Sequence, residues 1–524
     1  MEKIRASTKN FKEEGKKNKN ENPKPFIKSK PLRIIFTFLL FILGFTIIYI
    51  SYIAVLIGPL LQWTFALVSL LLIGIIIRVI NGFQGSSGLY LLSTKKGLSI
   101  IDSISKKGQW FWKHLPIWGI MLGFGLLSYP LLKGKISKYD YIFGIISLIF
   151  ILLIVLPSTA EGIQFINLPQ LQSSNISANL SNTSSGASTS SNNILNIALI
   201  LPIISLAIGI IFGLTGYIMF LLVYLTAIDF VALGNALTVT APVAKTQMLQ
   251  SIVPGLAPVI PGIDTPLLAG LVSLIILLII HEFSHGILSR IEKVKLKSLG
   301  LVIFGVIPIG AFVEPDEKEV LKLKSMKQTR IFAAGSAINL LASILFFALM
   351  ILMLYFVMPN IYSNAVFIQS IIPNTPAYNV LKPGMQILAW NNVPIKNISS
   401  FAIAAANDLP GKQITVLTNK GTYSFNAISI DNSTKGYIGI TIGNRIKTGF
   451  SSQLLYFIFT TIVLSFIFNL SIGIINLLPL PFFDGWRIYK TNIKNKNIIN
   501  AFVAFVSIIF LINVLFLIIS VSAF

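Results

Sequence analysis

Long apolar runs alternate with short basic or Ser/Asn-rich stretches along most of this chain. In the first half the runs cover Ile34–Ile57, Trp63–Ile80, Phe111–Leu132, Tyr141–Leu156 and Ile194–Leu225. About 20 apolar residues on a helix rising about 1.5 Å per residue span a bilayer core, so runs of this length predict membrane-crossing helices. In the second half Leu267–Ile291, Ile331–Val357, Leu454–Ile475 and Ile498–Val521 predict four more. Two stretches break the pattern. Leu301–Val313 is β-branched and punctuated by glycine, which predicts a β-hairpin or re-entrant element, tolerated at membrane depth only against protein or a watery cavity. Asn364–Asn444 alternates strand-like runs with turn signals and predicts a small soluble insertion.

Composition agrees with a polytopic α-helical membrane protein. Of 524 residues 54% are hydrophobic and 11% charged, with a mean hydropathy of +0.80, far from a soluble globular balance. The net charge of +23 would suggest nucleic acid in a soluble chain. Here Lys and Arg gather between the apolar runs, which reads as positive-inside anchoring at a lipid bilayer, with no nucleic-acid partner. Residues 1–33 carry eleven Lys or Arg against four Glu and read as a basic cytoplasmic tail that fixes orientation. The Ser/Asn-rich loop 158–193 holds the sequons Asn175-Ile-Ser, Asn179-Leu-Ser and Asn182-Thr-Ser and suits an external position. Simple alternation from a cytoplasmic tail puts this loop, and the basic loop Lys133–Asp140, on the opposite sides. Either one run does not cross, or the run from Ile194 breaks near Gly213-Leu-Thr-Gly216 into a hairpin.

The chain has no cysteine and three histidines, so a metal must be held by imidazole and carboxylate. His114 lies in Trp110-Phe-Trp-Lys-His and reads as an interfacial anchor. His281 and His285 are different: they follow the apolar run Leu271–Ile280 four residues apart, on one helix face, where both offer nitrogens to one zinc ion. Glu282 stands beside them as a general base. Charged groups at this depth are costly and mark function. Asp484 supplies a third ligand: Asn476-Leu-Leu-Pro-Leu-Pro-Phe-Phe-Asp484-Gly closes a later run and precedes the basic stretch Arg487–Lys496. The basic residues that flank Leu301–Val313, from Arg290 to Arg330, put the histidine end of its helix on the cytoplasmic side as well.

These residues resemble the site-2 protease family of intramembrane zinc metalloproteases. The resemblance rests on His281-Glu282-x-x-His285-Gly286, on Gly335-Ser-Ala-Ile-Asn339, and on Asn476…Pro481…Asp484-Gly485, in that order. It implies zinc held by His281, His285 and Asp484, water activated by Glu282, and substrate or oxyanion contact from Asn476. Gly335 and Asn339 are supporting, with Asn339 open between a role at the site and hydrogen-bonded packing of helices. The insertion resembles a protease-associated PDZ domain in permuted order, because Gly436-Tyr-Ile-Gly-Ile comes last. It implies an external sieve that receives a peptide C-terminus. The expected organisation is then residues 1–33 as tail, 34–252 as N-terminal spans, 253–361 and 451–524 as halves of the protease core, and 364–444 as the PDZ-like domain. The expected substrate is a transmembrane protein, cut after prior trimming, at the cell membrane. Two other classes compete: a zinc protease taking its third ligand from Glu292, Glu314, Glu317 or Glu319, and a metal-binding scaffold or transporter without catalysis.

Overall fold

The structure is a computed structural model. It describes residues 24–522 apart from 54–58, 133–135, 161–190, most of 240–264, and residues 407, 430–434 and 482. Most of the basic tail, the three sequons and most of the segment before the histidine helix therefore lie outside the described residues. The protein is a polytopic helical membrane protein with a β-rich insert. Among the described residues eight helices are long and apolar enough to cross a membrane.

The N-terminal region contributes α1 (Lys30–Ile53), α2 (Pro59–Asn81), strands β1 (Gly85–Ser86) and β2 (Leu89–Thr94), α3 (Leu98–Ser105), α4 (Gln109–Phe124), α5 (Lys138–Ala160) and α6 (Ser191–Thr238). Helix α6 departs from helical geometry at Gly213 (φ 70°, ψ −167°), within the stretch whose sequence suggested a break. Gly213 lies against the backbone of Gly123 and Phe124, where a Cβ would collide. Thr215 donates to the Gly123 carbonyl across the same contact at 2.7 Å.

The second half is built on α7 (Leu267–Ile291), the hairpin of β3 (Leu296–Phe304) and β4 (Ile307–Pro315), the short α8 (Glu317–Lys322) and α9 (Ser325–Phe356). Helix α9 packs against α4, α7, α11 (Phe450–Ile475) and α12 (Asp484–Asn492). Its buried run Ala333-Ala-Gly-Ser-Ala337 explains how one helix serves so many neighbours. Small side chains let helix backbones approach closely where lipid offers no hydrophobic drive. The last span is α13 (Lys496–Ser522).

The expected hairpin at 301–313 is present and belongs to a larger sheet in the order β1-β2-β3-β4. Antiparallel register aligns Leu92 with Leu301 and Leu301 with Ala311, and aligns Thr94 with Leu299 and Leu299 with Val313. The β3–β4 turn needs Gly305 at φ 61°. That turn is clasped from the N-terminal side: Tyr90 donates to the Gly305 carbonyl at 3.1 Å, and a Cβ on Gly44 would strike Val306. The insert carries β5 (Tyr362–Ile371), β6 (Gln386–Trp390), α10 (Ile398–Ala405), β7 (Gln413–Thr418), β8 (Gly421–Asn426) and β9 (Ile440–Ile446). Its sheet runs β9-β5-β6-β7-β8, so the last strand pairs with the first. Val366, Ile368, Ile387, Trp390, Ile414 and Val416 form its core. Asp408 ties that core down, accepting from Trp390 Nε1 at 2.7 Å and Asn391 Nδ2 at 2.9 Å. Burial raises the Asp408 pKa, and these two bonds oppose the shift.

Candidate metal centre

Helix α7 carries His281 and His285 one turn apart, and their Nε2 atoms lie 3.3 Å from each other. Asp484, the first residue of α12, brings Oδ2 to 3.4 Å from His281 Nε2 and 3.2 Å from His285 Nε2. A tetrahedral ion with bonds of about 2.0–2.1 Å needs donors about 3.3 Å apart, so the triangle has the size of one zinc face. Asp484 Oδ2 is buried and has no hydrogen-bond donor. Among the described residues these three form the group of metal-ligating side chains. The donor set therefore fits zinc, with one coordination position open for water.

The turn before Asp484 explains the Asp-Gly pair. The Gly485 N–H donates to the Asn476 carbonyl at 2.7 Å, and a Cβ on Gly485 would collide with the Leu477 carbonyl. The chain folds back tightly at the end of α11, which sets Asn476 beside the start of α12 and aims Asp484 at the histidines.

Helix α9 forms the wall behind the imidazoles. His285 Nδ1 contacts the Ile331 carbonyl at 2.8 Å, and His281 Nδ1 contacts the Asn339 side-chain amide at 3.0 Å. Between them stands Gly335, where a Cβ would overlap Nε2 of both rings. Residues 331, 335 and 339 follow each other at the one-turn spacing of 281 and 285, so two helix stripes face each other. A carbonyl can only accept, so His285 carries its proton on Nδ1 and turns the Nε2 lone pair to the centre. The fully buried Asn339 leaves Oδ1 without a partner when its NH2 faces His281. The two amide orientations are interchangeable by rotation, and the one with Oδ1 toward Nδ1–H lets Asn339 accept from a His281 whose Nε2 lone pair faces the centre. Both histidines are then fixed as Nε2 donors by hydrogen bonds at the other nitrogen, as metal-bound imidazoles require.

Glu282 sits next to His281, and its Oε2 accepts the Val313 N–H at 2.9 Å. Val313 belongs to β4, the terminal strand of its sheet, so an unpaired edge donor fixes the carboxylate. Three of the other acidic residues near the motif, Glu292, Glu314 and Glu319, are engaged elsewhere. Glu292 pairs with Lys327 at 2.9 Å and Arg330 at 3.3 Å, Glu314 accepts from Ser298 and Glu319 from the Lys295 N–H. His114 stands apart, against the Trp110 carbonyl at 2.6 Å and Asp140 at 3.7 Å. Two partners of the site, the Ile331 carbonyl and the Val313 N–H, escaped the sequence reading because every residue carries such groups. The four-residue spacing of Gly335 and Asn339 was their available signal.

Comparison with known proteins meets this geometry. Residues 269–520 match the family model described as Peptidase family M50. A protein of Methanocaldococcus jannaschii described as uncharacterized is 26% identical over 227 residues, which is 43% of this chain and 57% of that protein. The chain thus spans little more than half the length of that relative.

Proposed function

We propose, from the premise that residues 269–520 belong to the site-2 protease family, peptidase family M50, that this protein is an intramembrane zinc metalloprotease. In this reading His281, His285 and Asp484 hold the ion, which supplies a Lewis acid and an acidified water when bound. The observation that carries the reading is the triangle of donors 3.2–3.4 Å apart with Glu282 on the next helix position. Metal ligation alone needs no such carboxylate; hydrolysis does.

Glu282 takes a proton from the attacking water and returns it to the leaving amine. The Val313 N–H holds Oε2 and leaves Oε1 to carry that proton. Asn476, positioned through its bond to Gly485, orients the substrate carbonyl and balances charge on its oxygen. The free edge of β4 accepts the substrate as an extended strand, because a peptide bond inside a helix is guarded by its own hydrogen bonds. The substrate is therefore a transmembrane protein whose helix unwinds at the site.

The insert, residues 364–444, acts as a PDZ-like sieve in this proposal. The pairing of its last strand with its first supports a permuted domain, which would receive the new C-terminus of a trimmed substrate. Residues 253–361 and 451–524 form the halves of the core around it. Basic residues at the α7, α9 and α12 ends support a zinc site and tail facing the cytoplasm and an insert on the other side of the cell membrane. Elemental analysis of purified variants tests the assignment. Glu282→Gln is expected to keep about one zinc per chain and Asp484→Ala to lose it. Equal zinc loss in both would make Glu282 a ligand and defeat the scheme.

A further inference from the structure

A cavity of about 380 Å³ lies between α7 and one face of the four-stranded sheet, and Glu282 is part of its wall. Its origin is legible in the register. Alternate residues of a strand share a face, so Leu92, Leu301 and Ala311 form one row across β2, β3 and β4, and Thr94, Leu299 and Val313 form the next. Val313 fills the space against Ile287 of α7 and Ile101 of α3. In the neighbouring row Ala311 is the smallest side chain, and the gap beside it is walled by Leu92, Leu301, Ile279 and Phe283.

We propose that this cavity is the subsite for the substrate side chain flanking the scissile bond, that it takes a leucine or phenylalanine side chain, and that Ala311 sets its size. The inference rests on the proteolytic reading. Three features support it. The cavity shares Glu282 with the reaction centre, so a residue bound in it adjoins the cleaved bond. Its walls are mostly aliphatic and aromatic, with Ser93, Thr94 and Glu282 among them, and they offer an apolar side chain van der Waals contact. Its volume of about 380 Å³ leaves room for a leucine or phenylalanine side chain. Leu92 and Thr94 lie outside the segment 269–520 shared with the family, so part of the specificity comes from this chain's own N-terminal strand.

The test uses full-length protein in liposomes with one transmembrane substrate, its residues beside the scissile bond varied through Ala, Val, Leu and Phe. For Ala311→Leu, kcat/KM is expected to fall at least tenfold more for the Leu and Phe substrates than for the Ala substrate. Leu92→Ala is expected to move preference the opposite way, toward Phe. A uniform fall, or an unchanged profile in both variants, overturns the subsite. Turnover is separated from binding by photo-leucine at the varied position, cross-linked to Glu282→Gln protein and mapped by mass spectrometry. Cross-links at 92–94 or 311–313 without turnover by the wild type would fault the protease reading and keep the pocket. Turnover with cross-links elsewhere would fault the pocket alone, and the absence of both would overturn both.

Discussion

Replacing Asn339 by leucine removes the partner of His281 Nδ1 while keeping the size of a side chain that is fully buried. Two costs follow. The Nδ1–H that zinc ligation through Nε2 requires is left buried without an acceptor, at about 1–3 kcal/mol. The neutral ring also escapes that cost by moving its proton to Nε2, which is the wrong tautomer for a ligand. Zinc binding must reverse that move, so the penalty appears in metal affinity. At about 1.4 kcal/mol per tenfold, the expected weakening is roughly 5- to 150-fold, in the range of about 10- to 100-fold found for other outer partners of metal-bound histidines. His285 retains the Ile331 carbonyl, so binding is weakened rather than lost. The assay is zinc competition against a chromogenic chelator in detergent, with thermal unfolding of the zinc-free protein alongside. Asn339→Asp, which supplies a stronger acceptor, should restore affinity. If Asn339→Leu lowers the unfolding temperature but leaves zinc affinity within threefold, Asn339 only packs helices and the orienting role is wrong.

Two further outcomes follow from the same geometry. Gly335→Ala puts a methyl group over Nε2 of both histidines, so zinc content should fall below a tenth of the wild-type value. Full zinc occupancy in that variant would show that α7 and α9 are not in this contact. Removing residues 364–444 with a short linker should leave zinc content intact and raise cleavage of an untrimmed substrate relative to a trimmed one. An unchanged ratio in an active deletion variant would reduce the insert to a spacer.

The spans and the juxtaposition of the two histidines were legible in the sequence because each rests on local signals. Apolar length located α7 at Leu267–Ile291, one-turn spacing paired His281 with His285, and glycine with β-branched residues marked the β3–β4 hairpin. The approach of Asp484 to the histidines depends on folding across 199 positions; the basic stretch after it pointed to the same side of the membrane, and the motif resemblance supplied the pairing. The rest had no local trace. Strand β2 pairs with β3 across about 200 residues, and Leu89–Thr94 is too short and mixed to announce a partner. The Ile331 carbonyl and Val313 N–H are backbone groups whose roles come from where α9 and β4 lie. Gly335 was read as a motif position, but its physical reason, the absence of a Cβ beside two imidazoles, appears only once the helices are packed.

Hydrolysis inside the membrane by the centre on α7 and α12 is the property on which every other assignment depends. It is tested most directly by reconstituting purified protein with a single-span substrate in liposomes and locating the cut by mass spectrometry. Wild-type protein is expected to break a peptide bond within or at the end of the substrate's transmembrane segment, and zinc-loaded Glu282→Gln to give no product. Equal cleavage by the two proteins, or cuts confined to soluble segments well outside the bilayer, would contradict it.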